Sequence, residues 1–183
     1  MRVDVKTGLL VGVKQILSPY FDDRPAGVTP DLLVLHGISL PPGEFGGPWV
    51  ARLFTGNLPA DAHPSFLERA TLRVSAHLFI RRDGEVVQFV SCNDRAWHAG
   101  RSSWQGRDAC NDYSIGIECE GTDEAPYEDA QYLALRALLP GLLVAYPAIT
   151  KDRIVGHSDV APGRKTDPGA SFEWSRVREA VLR

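Results

Sequence analysis

The chain has 183 residues, of which 44% are hydrophobic and 23% are charged, and its formal net charge is −3. These values are typical of a globular protein with one domain, which we predict over residues 1–183. Because there is no basic excess, neither nucleic acid nor an anionic membrane is expected as a partner, and no apolar stretch approaches the ~18 residues of a membrane-spanning helix.

Apolar periodicity and turn residues predict the elements of the chain in order. Residues 1–31 are expected to form an irregular N-terminal arm, because prolines recur through them. The elements expected after the arm are a buried strand at 32–36, a loop at 38–47, a short helix at 48–54, strands at 71–80, 85–90 and 113–120, a helix at 128–146, a short strand at 154–155 and a terminal helix at 172–182.

Several of these elements carry more specific expectations. Asp83-Gly84 predicts a tight turn that joins the strands at 71–80 and 85–90 into a hairpin. Pro140-Gly141 should kink or interrupt the long helix. Alternation places one set of side chains on a single face of the strand at 71–80, namely Val74, Ala76, Leu78 and Ile80. Because strands and helices mix along the chain, the predicted fold class is α/β (α+β) with a mixed sheet.

The N-terminus and the cysteines indicate the compartment. No apolar segment follows the first basic residues, as a signal peptide would require. The three cysteines, Cys92, Cys110 and Cys119, are odd in number and have no C-x-x-C spacing, which argues against a disulfide framework and against a cysteine-rich zinc site. The protein is therefore expected to be cytoplasmic, where thiols stay reduced.

The strand at 113–120 separates its side chains by type. Its apolar residues share one face, and the opposite face carries Ser114, Gly116, Glu118 and Glu120. A face with two carboxylates could line a cleft, where one of them could act as a general base. The alternative is an ordinary solvated face, which is common in antiparallel sheets. The pattern alone does not separate these two interpretations.

Two histidines and an aspartate lie where chemistry is often found. His36 ends the apolar run at 32–35, and His157 and Asp167 lie in a loop broken by prolines and glycines. Two histidines and an aspartate suit a catalytic zinc ion with one open position. Each residue alone is also compatible with a structural role, and Asp159 is a competing carboxylate or a capping residue.

Other ionisable residues permit more than one role. Lys165 lies two residues before Asp167, where it could stabilise a developing oxyanion or remain a solvated loop cation. His77 is expected to be structural or to support a ligand. His98 follows Trp97 in a glycine-containing loop, where it could contact a ligand or simply pack.

Several separate motifs resemble one known family in the same order along nearly the whole chain. The segments that carry the resemblance are 18–22, 38–46, 72–77, 80–84, 95–100, 110–112, 114–118 and 156–169. Together they resemble the AmpD family, cytoplasmic N-acetyl-anhydromuramyl-L-alanine amidases of cell-wall recycling, within a broader group that includes peptidoglycan recognition proteins. The resemblance implies a single domain with a central mixed sheet flanked by helices and a zinc cleft on one side.

The resemblance also implies roles for particular residues. His36, His157 and Asp167 would be the ligands of Zn²⁺, Glu118 the catalytic carboxylate and Lys165 its cationic partner. Residues near the substrate would be Arg73, Trp97 and His98. The implied reaction is hydrolysis of the amide between the lactyl group of anhydro-N-acetylmuramic acid and L-alanine. The expected protein is a monomer whose partner is an anhydromuropeptide.

Two positions depart from the family's pattern, and two other functions stay open. Family members often have Asn after the first zinc histidine and Arg before the Cys-Asn-Asp segment, where this chain has Gly37 and Ala109. Loss of those side chains removes a hydrogen-bond donor and a carboxylate clamp from the expected substrate contacts. The alternative functions are a non-catalytic muropeptide-binding module and an amidase that acts on intact cell wall.

Overall fold

The computed structural model describes residues 1–181 and contains short strands, one long strand pair and five α-helices. The strands are β1 (Val3–Asp4), β2 (Leu9–Leu10), β3 (Lys14–Gln15), β4 (Phe21–Asp22), β5 (Leu32–Ile38), β6 (Leu78–Ile80), β7 (Val86–Gln88), β8 (Arg95–Ala96), β9 (Ser103–Trp104), β10 (Arg107–Asp108), β11 (Ser114–Glu120) and β12 (Ile154–Gly156). The helices are α1 (Trp49–Phe54), α2 (Phe66–Arg69), α3 (Asp129–Ala145), α4 (His157–Val160) and α5 (Trp174–Ala180).

Six strands form the central sheet in the order β12-β5-β11-β6-β7-β3. Every neighbouring pair is parallel except β6 and β7, which form the predicted antiparallel hairpin. The sheet is therefore mixed, and helices flank it. This confirms the predicted fold class. No described helix combines the length and the hydropathy that crossing a membrane requires.

The two faces of the sheet are covered by different elements. Leu33 and Leu35 of β5 and Ile115 and Ile117 of β11 pack in one cluster with α3 and α5. The alternate residues of these strands point to the opposite face. The central strand β11 is buried along its whole length because both of its neighbours are parallel and both faces are covered. The solvated face considered for residues 113–120 is thus wrong.

The N-terminal arm is more ordered than the sequence indicated. It contains four two-residue strands, and β3 forms one edge of the central sheet beside β7. The backbone N–H groups of Ile16 and Ser18 continue this pairing by donating to Gln88 and Phe89. The partners lie some seventy residues away along the chain, so no local pattern marks these short strands.

The strand expected at 71–80 is shorter than predicted, and its residues do not share one face. Leu78 packs in the cluster with α3, whereas Val74 and Ala76 pack on the other side with α1. The His77 carbonyl accepts hydrogen bonds from both Phe89 and Val90, so two residues oppose one at this point. Such an irregularity bends a strand and ends regular pairing.

The long helix and the terminal helix also differ in detail from expectation. Helix α3 continues through Pro140, so the predicted interruption is wrong. Pro140 and Arg136 are exposed, and the Arg136 carbonyl that loses its helical donor therefore lies on the solvent side. The terminal helix predicted at 172–182 is observed over Trp174–Ala180, where Val177 is buried and Trp174 packs against the same cluster. Residue 182 of that prediction lies outside the described residues.

A buried arginine connects the N-terminal arm to the sheet. The guanidinium group of Arg24 donates hydrogen bonds to four backbone carbonyls, those of Cys92, Asn111, Asp112 and Ser114. Burial lowers the pKa of Arg24 to about 10. Its partners are these backbone carbonyls, whose dipoles offset part of the cost of burying the charge, and the nearby Asp94 carboxylate offsets more.

We expect Arg24→Met to lower the free energy of unfolding by about 3 kcal/mol or more, because each buried carbonyl left without a donor costs about 1–3 kcal/mol. Urea denaturation of the two proteins measures the difference. Arg136→Met is the matched control, since Arg136 is exposed on α3 and should change stability by less than about 0.5 kcal/mol. Equal effects of the two substitutions would contradict the structural role of Arg24.

Candidate active site

The carboxyl ends of three parallel strands bring the predicted site residues together. The register of β5 and β11 places His36 directly beside Glu118. On the other side of β5, strand β12 ends at Gly156, so His157 is the first residue of α4. Ligands of open α/β sheets commonly bind beyond the carboxyl ends of the strands. Residues far apart in sequence thus meet at one edge of the sheet.

Asp167 reaches this edge from the C-terminal loop. Its carbonyl accepts a hydrogen bond from the Ser158 N–H at 3.0 Å, which fastens the loop to α4. Its Oδ2 atom lies 3.0 Å from Nδ1 of His157 and 3.4 Å from Nδ1 of His36, and the two Nδ1 atoms are 2.9 Å apart. Three potential ligand atoms therefore converge on one point.

This donor set fits a tetrahedral metal ion. Zinc bonds of about 2.0–2.2 Å in tetrahedral geometry place neighbouring ligand atoms about 3.3 Å apart, close to the separations of these three atoms. Burial lowers the pKa of His36 to about 4, which keeps its imidazole neutral. Burial alone would raise the pKa of Asp167, but hydrogen bonds with His157 and His36 outweigh it and hold this pKa below its ordinary value. Neutral imidazoles and an ionised carboxylate are the forms that bind metal.

Asp159, the competing carboxylate, lies outside this group. Its Oδ2 accepts a hydrogen bond from the Gly156 N–H at 2.7 Å, at the start of α4. Among the described residues, only His36, His157 and Asp167 form a group that could hold a metal ion. The capping interpretation of Asp159 is the one that the structure supports.

Glu118 has an unusual environment for a carboxylate. It is 9% exposed, its Oε1 lies 3.9 Å from Nδ1 of His36, and its buried Oε2 has no hydrogen-bond partner among the described residues. Burial raises the pKa of Glu118 well above its ordinary value, and the charge of Asp167 raises it further while Lys165 lowers it. A buried carboxyl group with a raised pKa beside a cleft is a candidate for general acid–base catalysis.

Glu120 lies on the same strand face but is fully engaged. Its Oε1 accepts from the Gly46 N–H at 2.7 Å, and its Oε2 accepts from the Arg82 N–H at 3.0 Å. Glu120 therefore holds the loop after β5 and the hairpin turn together. Of the two carboxylates on this face, only Glu118 has an oxygen free for chemistry.

A cleft of about 250 Å³ opens at the converging residues. One part of its wall is apolar, and the other part carries Glu118, His157, Lys165 and Asp167. The apolar part comprises Ile38, Leu40, Leu53, Phe54, Leu72 and Val74. A cleft with an apolar wall and a few convergent polar groups is typical of a small-molecule site.

The residues predicted near the substrate line this cleft or its neighbour. Arg73, Trp97, His98 and Lys165 border an adjoining cavity of about 240 Å³. The indole N–H of Trp97 donates to Asp22 at 2.9 Å, which fixes the ring. Arg73 and Lys165 are exposed. These positions are compatible with substrate contact, and the substrate roles of all three predicted residues stay predictions.

His98 has a second set of contacts that the sequence did not indicate. Its Nδ1 lies 2.9 Å from Nε2 of His36, and its Nε2 lies 3.0 Å from Oγ of Ser114. Gly116 makes room for this arrangement, because a Cβ atom there would overlap the His98 ring. The space beside Gly116 is thus filled by the His98 imidazole. His77, expected to be structural, is buried and accepts from the Gly116 N–H.

The two departures from the family's pattern have different surroundings. Ala109 adopts a left-handed backbone conformation with φ of 58° and lines a separate cleft of about 510 Å³ beside Arg101 and Arg164. Gly37 lies between the metal-site residues and Tyr127, whose hydroxyl donates to the Pro168 carbonyl at 2.9 Å. A Cβ atom on Gly37 would collide with that hydroxyl. No pattern in the sequence indicates this contact.

We expect Gly37→Ala to destabilise the protein by about 1–3 kcal/mol, the usual cost of overpacking. In a Tyr127→Phe background the nearest ring atom is Cζ, 3.6 Å from the added carbon, so the collision is absent and the cost should fall. Urea unfolding of the wild type, both single variants and the double variant forms a double-mutant cycle. Additive effects would show that Tyr127 does not exclude a side chain at position 37.

Comparison with known proteins places this geometry in a family. The model of the N-acetylmuramoyl-L-alanine amidase family matches residues 26–170. The chain is 58% identical to the 1,6-anhydro-N-acetylmuramyl-L-alanine amidase AmpD of Escherichia coli, over 97% of this chain and 96% of that protein. It is 52% identical to the AmpD of Haemophilus influenzae, over 97% of each chain.

A solved structure confirms the fold. The crystal structure of a selenomethionine AmpD derivative superposes with a TM-score of 0.95 at 56% identity and covers 99% of both chains. A sheet edge with two histidines, an aspartate and a buried glutamate at an open cleft defines a candidate metal-dependent hydrolase site. The chain belongs to the N-acetylmuramoyl-L-alanine amidase family, and the resemblance to AmpD seen in the sequence is confirmed.

Proposed function

We propose that this protein is a zinc-dependent amidase that cleaves the bond between the lactyl group of anhydro-N-acetylmuramic acid and L-alanine of the stem peptide. The observation that carries the proposal is the convergence of Nδ1 of His36, Nδ1 of His157 and Oδ2 of Asp167 within 3.4 Å of one another, beside the unpartnered Oε2 of Glu118. The AmpD relatives, whose names state this amidase activity, support the choice of bond.

His36, His157 and Asp167 would hold the zinc ion through three ligand atoms and leave a further coordination position for water or substrate. When bound, zinc acts as a Lewis acid that lowers the pKa of water and polarises a carbonyl group. Asp167 is also fixed by the Gly37 N–H, which lies 3.4 Å from its Oδ2. These contacts hold the three ligands in place before any substrate arrives.

Glu118 would transfer the proton in the reaction. Its Oε2 is buried without a partner among the described residues, and its raised pKa suits both uptake and release of a proton. Glu118 takes a proton from the attacking water as the new carbon–oxygen bond forms. It then gives that proton to the amide nitrogen as the carbon–nitrogen bond breaks. The products are a carboxylate on the muramyl lactyl group and a free stem peptide.

Lys165 would stabilise the negative charge that develops on the carbonyl oxygen. Its exposed side chain lines the same cleft as Glu118 and Asp167, where a positive charge would act on the oxyanion. The apolar wall of the cleft, the indole of Trp97 and the Arg73 side chain would contact the anhydromuropeptide. The His98 ring also lines the cleft and would form part of the same substrate surface.

The proposed partner is a small anhydromuropeptide, with neither nucleic acid nor membrane involved. A solved complex of the amidase AmiD from Escherichia coli, 30% identical with a TM-score of 0.61, contains anhydro-N-acetylmuramic acid-L-Ala-D-gamma-Glu-L-Lys. We place the enzyme in cytoplasmic peptidoglycan recycling, as a monomer. The three cysteines support this location, because all of them are free thiols, as expected in a reducing compartment.

The test is mass spectrometry of zinc-loaded protein incubated with anhydromuramyl-tripeptide. Release of free tripeptide that stops when a chelator is added, and returns with zinc, would support the proposal. A substrate that stays intact while zinc is bound and the peptide binds would favour a non-catalytic muropeptide-binding module. Release from intact cell wall at a higher rate than from the anhydromuropeptide would instead favour a wall-degrading amidase.

A further inference from the structure

The dipeptide His98-Ala99 contacts both ligand histidines on the side of each ring that faces away from the metal position. The Nδ1 atoms of His36 and His157 face the metal position, and a metal ion bound to them would leave the proton on Nε2 of each ring. The Nε2 of His36 donates to Nδ1 of His98 at 2.9 Å, and the Nε2 of His157 donates to the Ala99 carbonyl at 3.3 Å. The His98-Ala99 segment therefore fixes the tautomer and the tilt of both rings.

A single side chain holds that dipeptide. Oδ1 of Asn111 accepts the His98 N–H at 3.2 Å and the Ala99 N–H at 2.8 Å. Asn111 is 7% exposed, and its own carbonyl accepts from the guanidinium group of Arg24. The acceptor that sets the position of residues 98 and 99 is thus itself held by the core of the protein.

Two other side chains, those of Arg164 and Ser114, also contact the dipeptide, but neither binds its backbone N–H groups. Arg164 donates to the Ala99 carbonyl at 2.6 Å and to the Arg101 carbonyl at 2.7 Å, but its side chain comes from an exposed loop position. Ser114, which is fully buried, accepts from Nε2 of His98 and fixes the far side of that ring. Only Asn111, among the described residues, contacts both members of the dipeptide through their backbone N–H groups.

We propose that Asn111 is a positioning residue of the metal centre, which acts through His98 and Ala99 on the orientation of His36 and His157. The inference rests on the proposed zinc site and extends it to a residue that touches neither metal nor ligand. Outer contacts of this kind raise metal affinity because they fix the ligand ring and its tautomer before binding, and their loss typically costs about 10–100-fold in affinity.

The test is a zinc titration of metal-free protein in competition with a chromophoric chelator, for the wild type and four variants. Asn111→Leu has a similar volume but offers no acceptor to the two N–H groups, and we expect its Kd for zinc to rise about 10–100-fold. Asn111→Asp keeps an acceptor oxygen in the same place, and its Kd should stay within about threefold of the wild type because the N–H groups remain paired. Asn111→Ser, which is too short to reach both N–H groups, serves as a second loss variant if Asn111→Leu does not fold.

The fourth variant separates positioning from general destabilisation. Tyr146→Phe removes a partly buried hydrogen bond to Asn93, which is not among the contacts of the dipeptide, and should lower the stability of the metal-free protein without changing its Kd for zinc. The absorption spectrum of bound Co²⁺ gives a second readout that does not depend on turnover, and it should change in Asn111→Leu and not in Asn111→Asp.

Three results would overturn the inference. An unchanged Kd in both loss variants would do so, even if KM rose, because Asn111 would then contact substrate and not position the metal. If Tyr146→Phe lost as much zinc affinity as Asn111→Leu, lower protein stability would explain the effect and Asn111 would have no positioning role. Failure of the wild type to bind zinc would overturn the proposed metal centre itself, and this inference with it.

Discussion

Glu118→Gln is expected to lower kcat by about 10²–10⁴-fold, the usual contribution of general acid–base catalysis, while leaving zinc bound. The amide has nearly the shape of the carboxylate but cannot accept and return a proton. Because Glu118 approaches the ligand group only at 3.9 Å, its loss should not release the metal. Steady-state release of tripeptide and metal analysis of the purified variant provide the two measurements.

Glu120→Gln is the matched control for that experiment. Glu120 lies two residues further along the same face of β11 and is also buried, but both of its oxygens bind backbone N–H groups. Its substitution should lower stability and leave kcat within a few-fold, since one of the two acceptor oxygens becomes an NH2 donor that cannot pair with a backbone N–H. A near-normal kcat in Glu118→Gln would show that Glu118 is not the general base, and the base of the reaction would then be unassigned.

His36→Ala is expected to abolish both zinc binding at micromolar concentrations and amidase activity. It removes one of three converging ligand atoms, and it leaves the His98 ring without its partner. Zinc at about 1,000 times its Kd should stabilise the wild type by about 4 kcal/mol, because the ion binds the folded state. The variant should show no such gain. Thermal unfolding with zinc and with a chelator measures this difference directly.

His63→Ala controls for the loss of a histidine as such. The His63 ring contacts Ser65 and lies away from the cleft, so the zinc-dependent gain in stability should persist in this variant. If His36→Ala kept that gain, the ion would bind elsewhere and the proposed centre would be wrong. If neither the wild type nor His63→Ala gained stability from zinc, the site would have no measurable affinity for this metal.

Much of the site could be predicted because its residues occur in recognisable local surroundings. His36 follows an apolar run that is typical of a buried strand, and His157 and Asp167 lie in a loop too polar and too rich in proline and glycine for a core. The alternation of residues 113–120 is enough by itself to separate Glu118 from the apolar face. The grouping of His36, His157 and Asp167 is confirmed by the geometry, whereas their role as zinc ligands stays a prediction.

The supporting contacts could not be predicted, because they depend on residues that meet only in three dimensions. Nothing near Asn111 in the sequence indicates that its side chain holds residues 98 and 99. The sequence indicates only a lost donor at Gly37, whereas the structure shows that a Cβ atom there would collide with the Tyr127 hydroxyl. Arg24 lies in an arm that was expected to be irregular, and its four acceptors come from other segments.

The sequence by itself determined the fold class, the main strands and helices, and the chemical groups that surround the cleft. It could do so because periodicity, turn residues and loop composition are local properties of a chain. Only the tertiary structure decided which carboxylate is free, how the ligand rings are oriented and where the short strands of the arm pair. Those features depend on contacts between distant residues, and burial and hydrogen bonding at such contacts have no local signature in the sequence.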